Sequence, residues 1–212
     1  MQVALLTITA LVAMTNWCAR WRNNYRVETW VKPLTTMGVI GLAIANDAEI
    51  KFSGIAVVAL VLCLEGDIAL LPAIDKFIVG LASFLLGHLA FIVLFVRYQM
   101  PHRGLAVIAI GAAAVLAATA GRVIVRGAVR KDAAMRWPVI AYLVVICAMT
   151  ICGWATGRGL VIAGTTLFVI SDTLLGWQRF VSNRDEDSVW RSTAVMVTYH
   201  GAIAALALSL WP

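Results

Sequence analysis

Charge is what this sequence has least of: Asp, Glu, Lys and Arg together make up 13% of it, and only 11 of its 212 residues are acidic. A soluble domain carries about a quarter charged residues, so a water-covered globular surface is excluded. Proline occurs at 5 positions, too few for a proline-rich linker. The four cysteines, Cys18, Cys63, Cys147 and Cys152, form no C-x-x-C pair, and the last three lie in apolar runs. They read as packing residues, with neither a disulfide framework nor a zinc site indicated. No basic residue precedes the first apolar run, MQVALLTITALVAMTNW, and no small-residue cleavage site follows it; it reads as a first span and not as a removable leader.

What is present is apolar. Hydrophobic residues make up 62% of the chain and the mean hydropathy is +0.90. A spanning helix needs about 20 mainly apolar residues, and eight runs approach that length: 2–17, 30–46, 52–71, 76–96, 104–120, 137–154, 159–177 and 190–211. The expected fold is all-α, a polytopic membrane protein whose residues 1–212 form a single bundle of eight transmembrane helices. The loops, including 121–136 and 178–189, are too short to hold a separate soluble domain.

The net charge of +6 does not point to nucleic acid, because the basic residues sit in short loops between apolar runs. They serve as topology signals and as contacts to membrane lipids with anionic headgroups. Thirteen of the 17 lie in the odd-numbered loops and adjoining helix ends; Lys51, Arg97, Arg103 and Arg158 lie in the even-numbered ones. The positive-inside rule then places the odd loops in the cytoplasm and both termini outside the cell (inner) membrane. Trp30, Trp137, Trp177, Trp190 and Trp211 fall at the expected helix ends, at headgroup level.

Two runs break the apolar pattern with acids, VLCLEGDIALLP at 61–72 and FVISDTLLGW at 168–177. An ionised carboxylate in hydrocarbon costs a few kcal/mol on even the lenient insertion scales, so Asp67 and Asp172 each need a partner, a wet cavity or a proton. At ~1.5 Å per residue both lie roughly 6–8 Å inside the cytoplasmic ends of their helices. Lys32 begins the second helix on the same side, while His88, Tyr199 and His200 lie deeper. The set describes a funnel open to the cytoplasmic leaflet, with a cation at the mouth and imidazoles at the floor. Glu65, two residues from Asp67, points to nearly the opposite helix face. Gly66 leaves room for a neighbouring helix, and Ser171 has a carbonyl or a water as its natural partner.

The Lys32–Pro33 pair, Gly66–Asp67, FIVGLASFLLGHLAF at 77–91, GTTLFVISDTLLGWQRF at 164–180 and the Tyr199 region, in that order, resemble the YhhN-like membrane proteins, whose animal members are lysoplasmalogenases. The resemblance covers about residue 30 to the C-terminus. It implies an eight-helix fold and hydrolysis of the vinyl ether bond of a lysophospholipid, giving a fatty aldehyde and a glycerophospho-base; two acids at one depth fit that reaction without a metal, and no cofactor is expected. Carried over by position, Asp67 and Asp172 become the catalytic acids, and Lys32, His88, Ser171 and Tyr199 substrate-binding residues; His200 joins the substrate-binding set from its place at the floor of the funnel. Phe91 stands where the family commonly has tyrosine, Cys63 where serine is expected, and His200 with Ile203 where a second tyrosine and a glutamine are frequent. These departures bear on substrate identity.

Vinyl ether hydrolysis begins with protonation of the β-carbon, which requires an acid that still holds its proton near neutral pH; a second carboxylate then stabilises the oxocarbenium ion and activates water. Two other readings compete. A proton-coupled transporter or channel also uses intramembrane acids, but no internal repeat or broken helix signals one. A zinc hydrolase would draw on His88, His200 and an aspartate, without the H-E-x-x-H spacing.

Overall fold

The computed structural model describes residues 2–45, 50–182 and 189–210, and all regular elements among them are helical. Hydrocarbon offers no partner to a backbone N–H or C=O, so an apolar run that crosses it must satisfy its own hydrogen bonds within a helix. The helices are α1 (Gln2–Trp21), α2 (Tyr25–Ala45), α3 (Ile50–Ala69), α4 (Phe77–Arg97), α5 (Arg103–Leu116), α6 (Arg122–Lys131), α7 (Arg136–Ala155), α8 (Gly159–Phe180) and α9 (Val189–Leu208). A π turn, Ala117–Gly121, joins α5 to α6 without a break, making one helix from Arg103 to Lys131. Trp211, expected at a helix end, lies outside the described residues.

Five of the eight expected spans are long and apolar enough to cross a membrane among the described residues: α1, α4, the α5–α6 rod, α7 with its preceding turn, and α8. The other three, α2, α3 and α9, have the same length of 20–21 residues and pack among the five. Two boundaries differ most from the sequence expectation. First, α2 begins at Tyr25 and not at 30: Asn23 adopts a left-handed φ of 52°, and the Asn24 side chain then accepts the Val27 N–H at 3.3 Å, a capping contact that starts the helix over polar residues. Second, the expected loop 121–136 is helical as far as Lys131. Hydropathy measures how much of a helix hydrocarbon can hold, and this helix continues beyond that length with arginine at every fourth position.

Seven helices close a ring. Contacts run α1–α2–α3–α4, from α4 to α7, on through α8 and α9, and back to α1; the α5–α6 rod packs outside, chiefly on α7. The tightest pairs are the hairpins α1–α2, α3–α4 and α8–α9. At the α7–α8 turn, Gly157 takes a φ of 70°, and a Cβ there would lie 2.0 Å from the His102 ring, so only glycine suits the position. The ring encloses a buried apolar core that includes Phe91, Leu94, Phe95, Phe168, Ile203 and Leu206. The outer surface is apolar too: Val107, Val115 and Val144 are all exposed, as a lipid-facing surface requires. Trp137 and Trp190 are exposed at helix starts, and Trp30 is exposed five residues inside α2.

Candidate active site

The two acids border one cavity at one end of the ring. Asp67 comes from the last turn of α3 and Asp172 from the C-terminal half of α8, and both line a single cavity of about 100 Å³. That cavity is also bordered by Arg20, Glu28, Lys32, Ser171, Ser192 and Tyr199. Gly66 lies beside Asp67 on α3, facing Phe84 of α4. A Cβ at Gly66 would lie 2.5 Å from the Phe84 ring, so only glycine lets α4 come this close beside Asp67.

Asp67 is 1% exposed, and two hydroxyl groups donate to one of its carboxyl oxygens while an ammonium stands near the other. Thr36 Oγ1 donates to Oδ2 at 2.6 Å, and Tyr199 Oη donates to the same oxygen at 2.7 Å. The Lys32 ammonium lies 3.4 Å from Oδ1 and donates to the Asp67 carbonyl at 3.3 Å. Lys32 is therefore two turns inside α2 and 5% exposed, paired with an acid; it does not begin its helix at the mouth of a funnel. The more exposed cation bordering the cavity is Arg20, which pairs with Glu28 at 3.0 Å across the α1–α2 hairpin.

Asp172 has different surroundings. Its side chain is 12% exposed, and Tyr142 of α7 donates to Oδ2 at 2.5 Å. His88 Nε2 lies 3.9 Å from that oxygen, outside hydrogen-bond range. Neither His88 ring nitrogen has a hydrogen-bond partner among the described residues. Asp172 also borders a second pocket of about 70 Å³, walled by apolar residues of α4, α5, α6, α7 and α8, among them Phe77, Leu116, Val125, Ile146 and Val169. Asp172, Leu70, Phe84 and Leu175 line both spaces, so the carboxyl group stands where a polar cavity and an apolar one join. Aromatic edges bind the two halves of the site together: Phe168 packs on His88 at 4.6 Å and on Tyr199 at 5.6 Å, and His88 on Tyr142 at 5.3 Å.

Of the residues expected from sequence, Asp67, Asp172, Lys32, Ser171 and Tyr199 line the cavity, and His88 stands behind Asp172. Ser171 donates across to the Val195 carbonyl of α9 at 3.0 Å, a bond between helices. His200 is drawn elsewhere, accepting the Trp17 indole N–H at 3.1 Å. The two histidines thus belong to different clusters, and no group of three metal-ligating side chains occurs among the described residues. Glu65 is exposed on the far face of α3, as its spacing from Asp67 requires. Thr36 and Tyr142 were not anticipated. The available signals were the i, i+4 spacing of Lys32 and Thr36, which puts both on one face, and the depth of Tyr142, six residues inside the same end of its helix.

No curated protein and no solved structure is matched by this chain. The model of the YhhN family matches residues 27–210, from the start of α2 to the end of α9, across every residue of the acid pair's surroundings except Arg20. The chain belongs to the YhhN family.

Proposed function

We propose that this protein is a membrane-embedded lipid hydrolase that cleaves the vinyl ether bond of a lysophospholipid, as the lysoplasmalogenase reading of the family implies. The observation that carries the reading is the contrast between two carboxyl groups of one cavity. Asp67 accepts two hydroxyl hydrogens and faces an ammonium, an environment made for a carboxylate. Asp172 has one donor and stands against an apolar pocket, an environment made for a carboxylic acid. Acids kept in opposed states are what general acid–base catalysis at neutral pH needs.

The alkenyl chain next to the reacting bond occupies the apolar pocket, and the glycerophosphate side the polar cavity, so the vinyl ether crosses the junction at Asp172. The Asp172 O–H bond breaks as its proton adds to the β-carbon, the C=C electron pair forms the new C–H bond, and an oxocarbenium ion results. The Asp67 carboxylate stabilises that cation and takes a proton from the water that attacks the α-carbon, giving a hemiacetal. The hemiacetal hydroxyl then returns its proton to Asp172 as the C–O bond to glycerol breaks, and Asp67 passes its proton to the leaving oxygen. Aldehyde and glycerophospho-base are released and both acids are restored. Lys32 acts through Asp67, holding it ionised, and the substrate phosphate falls to Arg20, which borders the cavity.

The eight-span topology, with both termini outside and the site opening towards the cytoplasmic leaflet, belongs to the same proposal. It is supported by the shared end of the acids and the basic residues. A proton-coupled transporter needs ionisable groups along a path across the bundle, and this arrangement gathers them at one end. The test is incubation of the purified protein with lysolipids carrying vinyl ether, ester or alkyl ether chains, with aldehyde release followed by mass spectrometry. Aldehyde is expected from the vinyl ether alone and only while both aspartates are intact. Release of fatty acid from the ester with no aldehyde from the vinyl ether would overturn the assignment.

A further inference from the structure

Tyr142 is the only hydrogen-bond donor to Asp172 among the described residues, at 2.5 Å from Oδ2. Its hydroxyl has no other acceptor among those residues, so donating to Asp172 is the arrangement that uses the phenolic hydrogen; accepting a proton from Asp172 would leave that hydrogen unpaired. The ring is fixed as well: its face or edge meets His88 at 5.3 Å and 70°, and it forms part of the wall of the apolar pocket. Asp172 Oδ2 is thus occupied on one side by the phenol and approached by His88 Nε2 at 3.9 Å. The other carboxyl oxygen, Oδ1, makes no hydrogen bond among the described residues.

We infer that Tyr142 is a positioning residue that selects which oxygen of Asp172 carries the transferable proton, placing it on Oδ1 at the junction of the two cavities. A protonated carboxyl group has two oxygens to choose from, and only the one facing the substrate is productive. The Tyr142 hydroxyl claims a lone pair of Oδ2 and leaves Oδ1 for the proton. After transfer, the same hydroxyl stabilises the new carboxylate, so it serves both halves of the cycle without touching the reacting atoms. The inference rests on the hydrolase reading above but concerns a different residue and a separately measurable property.

The test is Tyr142→Phe, which removes the hydroxyl and keeps the ring against His88. In the aldehyde-release assay kcat should fall about 10- to 100-fold, the range set by a hydrogen bond to a charged group, with KM within about twofold, since the ring that walls the pocket is kept and the lost hydroxyl is turned to Asp172. The limb of the pH–rate profile that Asp172→Asn identifies should be displaced. Infrared difference spectra of the substrate-free protein on pH change give an independent arm: the carboxyl band lost in Asp172→Asn should shift in Tyr142→Phe. Wild-type kcat with an undisplaced limb would overturn the inference, as would a raised KM at unchanged kcat, which marks a pocket wall and nothing more. If the wild-type protein releases no aldehyde, the hydrolase reading fails, and the infrared arm still decides: an unshifted band removes the role of Tyr142.

Discussion

Removing the charge of Lys32 should damage the fold more than it damages substrate binding. Lys32 and Asp67 are 5% and 1% exposed, and their charged atoms are 3.4 Å apart. At an effective dielectric constant of 20 that separation corresponds to about 5 kcal/mol of attraction. Most of it offsets the cost of taking two ions out of water, so the net worth of the intact pair is small. Breaking it is another matter, because the survivor is left charged and buried, at a cost of ~3–5 kcal/mol. The measurement is a double-mutant cycle in mild detergent, with thermal unfolding of wild type, Lys32→Met, Asp67→Asn and the double variant. At ~2–4 °C per kcal/mol for a chain of this size, each single variant should lose roughly 6–20 °C in Tm. The neutral double variant should recover to within about 1–2 kcal/mol of wild type. Asp172→Asn, which strands no cation, should stay close to wild type. A double variant as unstable as Lys32→Met alone would show that Lys32 is not held by the Asp67 charge, and the ionised role of Asp67 would fall with it.

Three further outcomes are expected. Asp67→Asn and Asp172→Asn should each lower kcat by ~10² to 10⁴-fold in the aldehyde assay, with the double variant little worse than either single one and Glu65→Gln near wild type; activity that survives both asparagine variants refutes the catalytic pair. Val125→Trp, at the wall of the apolar pocket, should raise KM for long alkenyl chains well above that for short ones, and an equal effect on all lengths would place the chain elsewhere. Reporter fusions in the turn after Lys131 and at the α7–α8 turn at Gly157 should report opposite sides of the membrane, the first cytoplasmic; the reverse result would invert the orientation.

The ends of the bundle were legible in the sequence because lipid solvation is a coarse filter: an apolar run long enough to cross hydrocarbon announces itself. Asp67 and Asp172 were legible for the same reason, since a carboxyl group in such a run has few structural uses. Their partners were not. Thr36 lies in KPLTTMGV and Tyr142 in VIAYLVV, where a hydroxyl usually bonds its own helix backbone, as Thr35 does with Val31. Only the closing of the ring separates the threonine that serves its own helix from the one four residues beyond Lys32 that reaches another. Lys32 was legible as a residue of the site but was placed at the mouth of the funnel, because hydropathy started α2 five residues late and so left the lysine at the membrane surface. His200 was expected at the floor of the funnel, yet the ring brings α1 against α9, and the Trp17 indole claims it.

The π turn at Ala117–Gly121 acts as a phase shifter. Each residue of an α-helix advances the chain by ~100° about the axis, so the register of everything after the turn depends on that local departure from α-geometry. Ile124 and Val125 face the apolar pocket, while Arg122, Arg126 and Arg130 are exposed. A return of 117–121 to α-geometry with no residue removed would let α5 and α6 run on as an unbroken α-helix of nearly the same length and apolarity, still able to cross the bilayer, because a π turn holds about one residue more than an α turn. It would also rotate α6 by about a quarter-turn or more, carrying valine and isoleucine off the pocket and swinging a guanidinium towards it. Length and hydropathy would record no change, and the pocket would be lost to a change of angle alone.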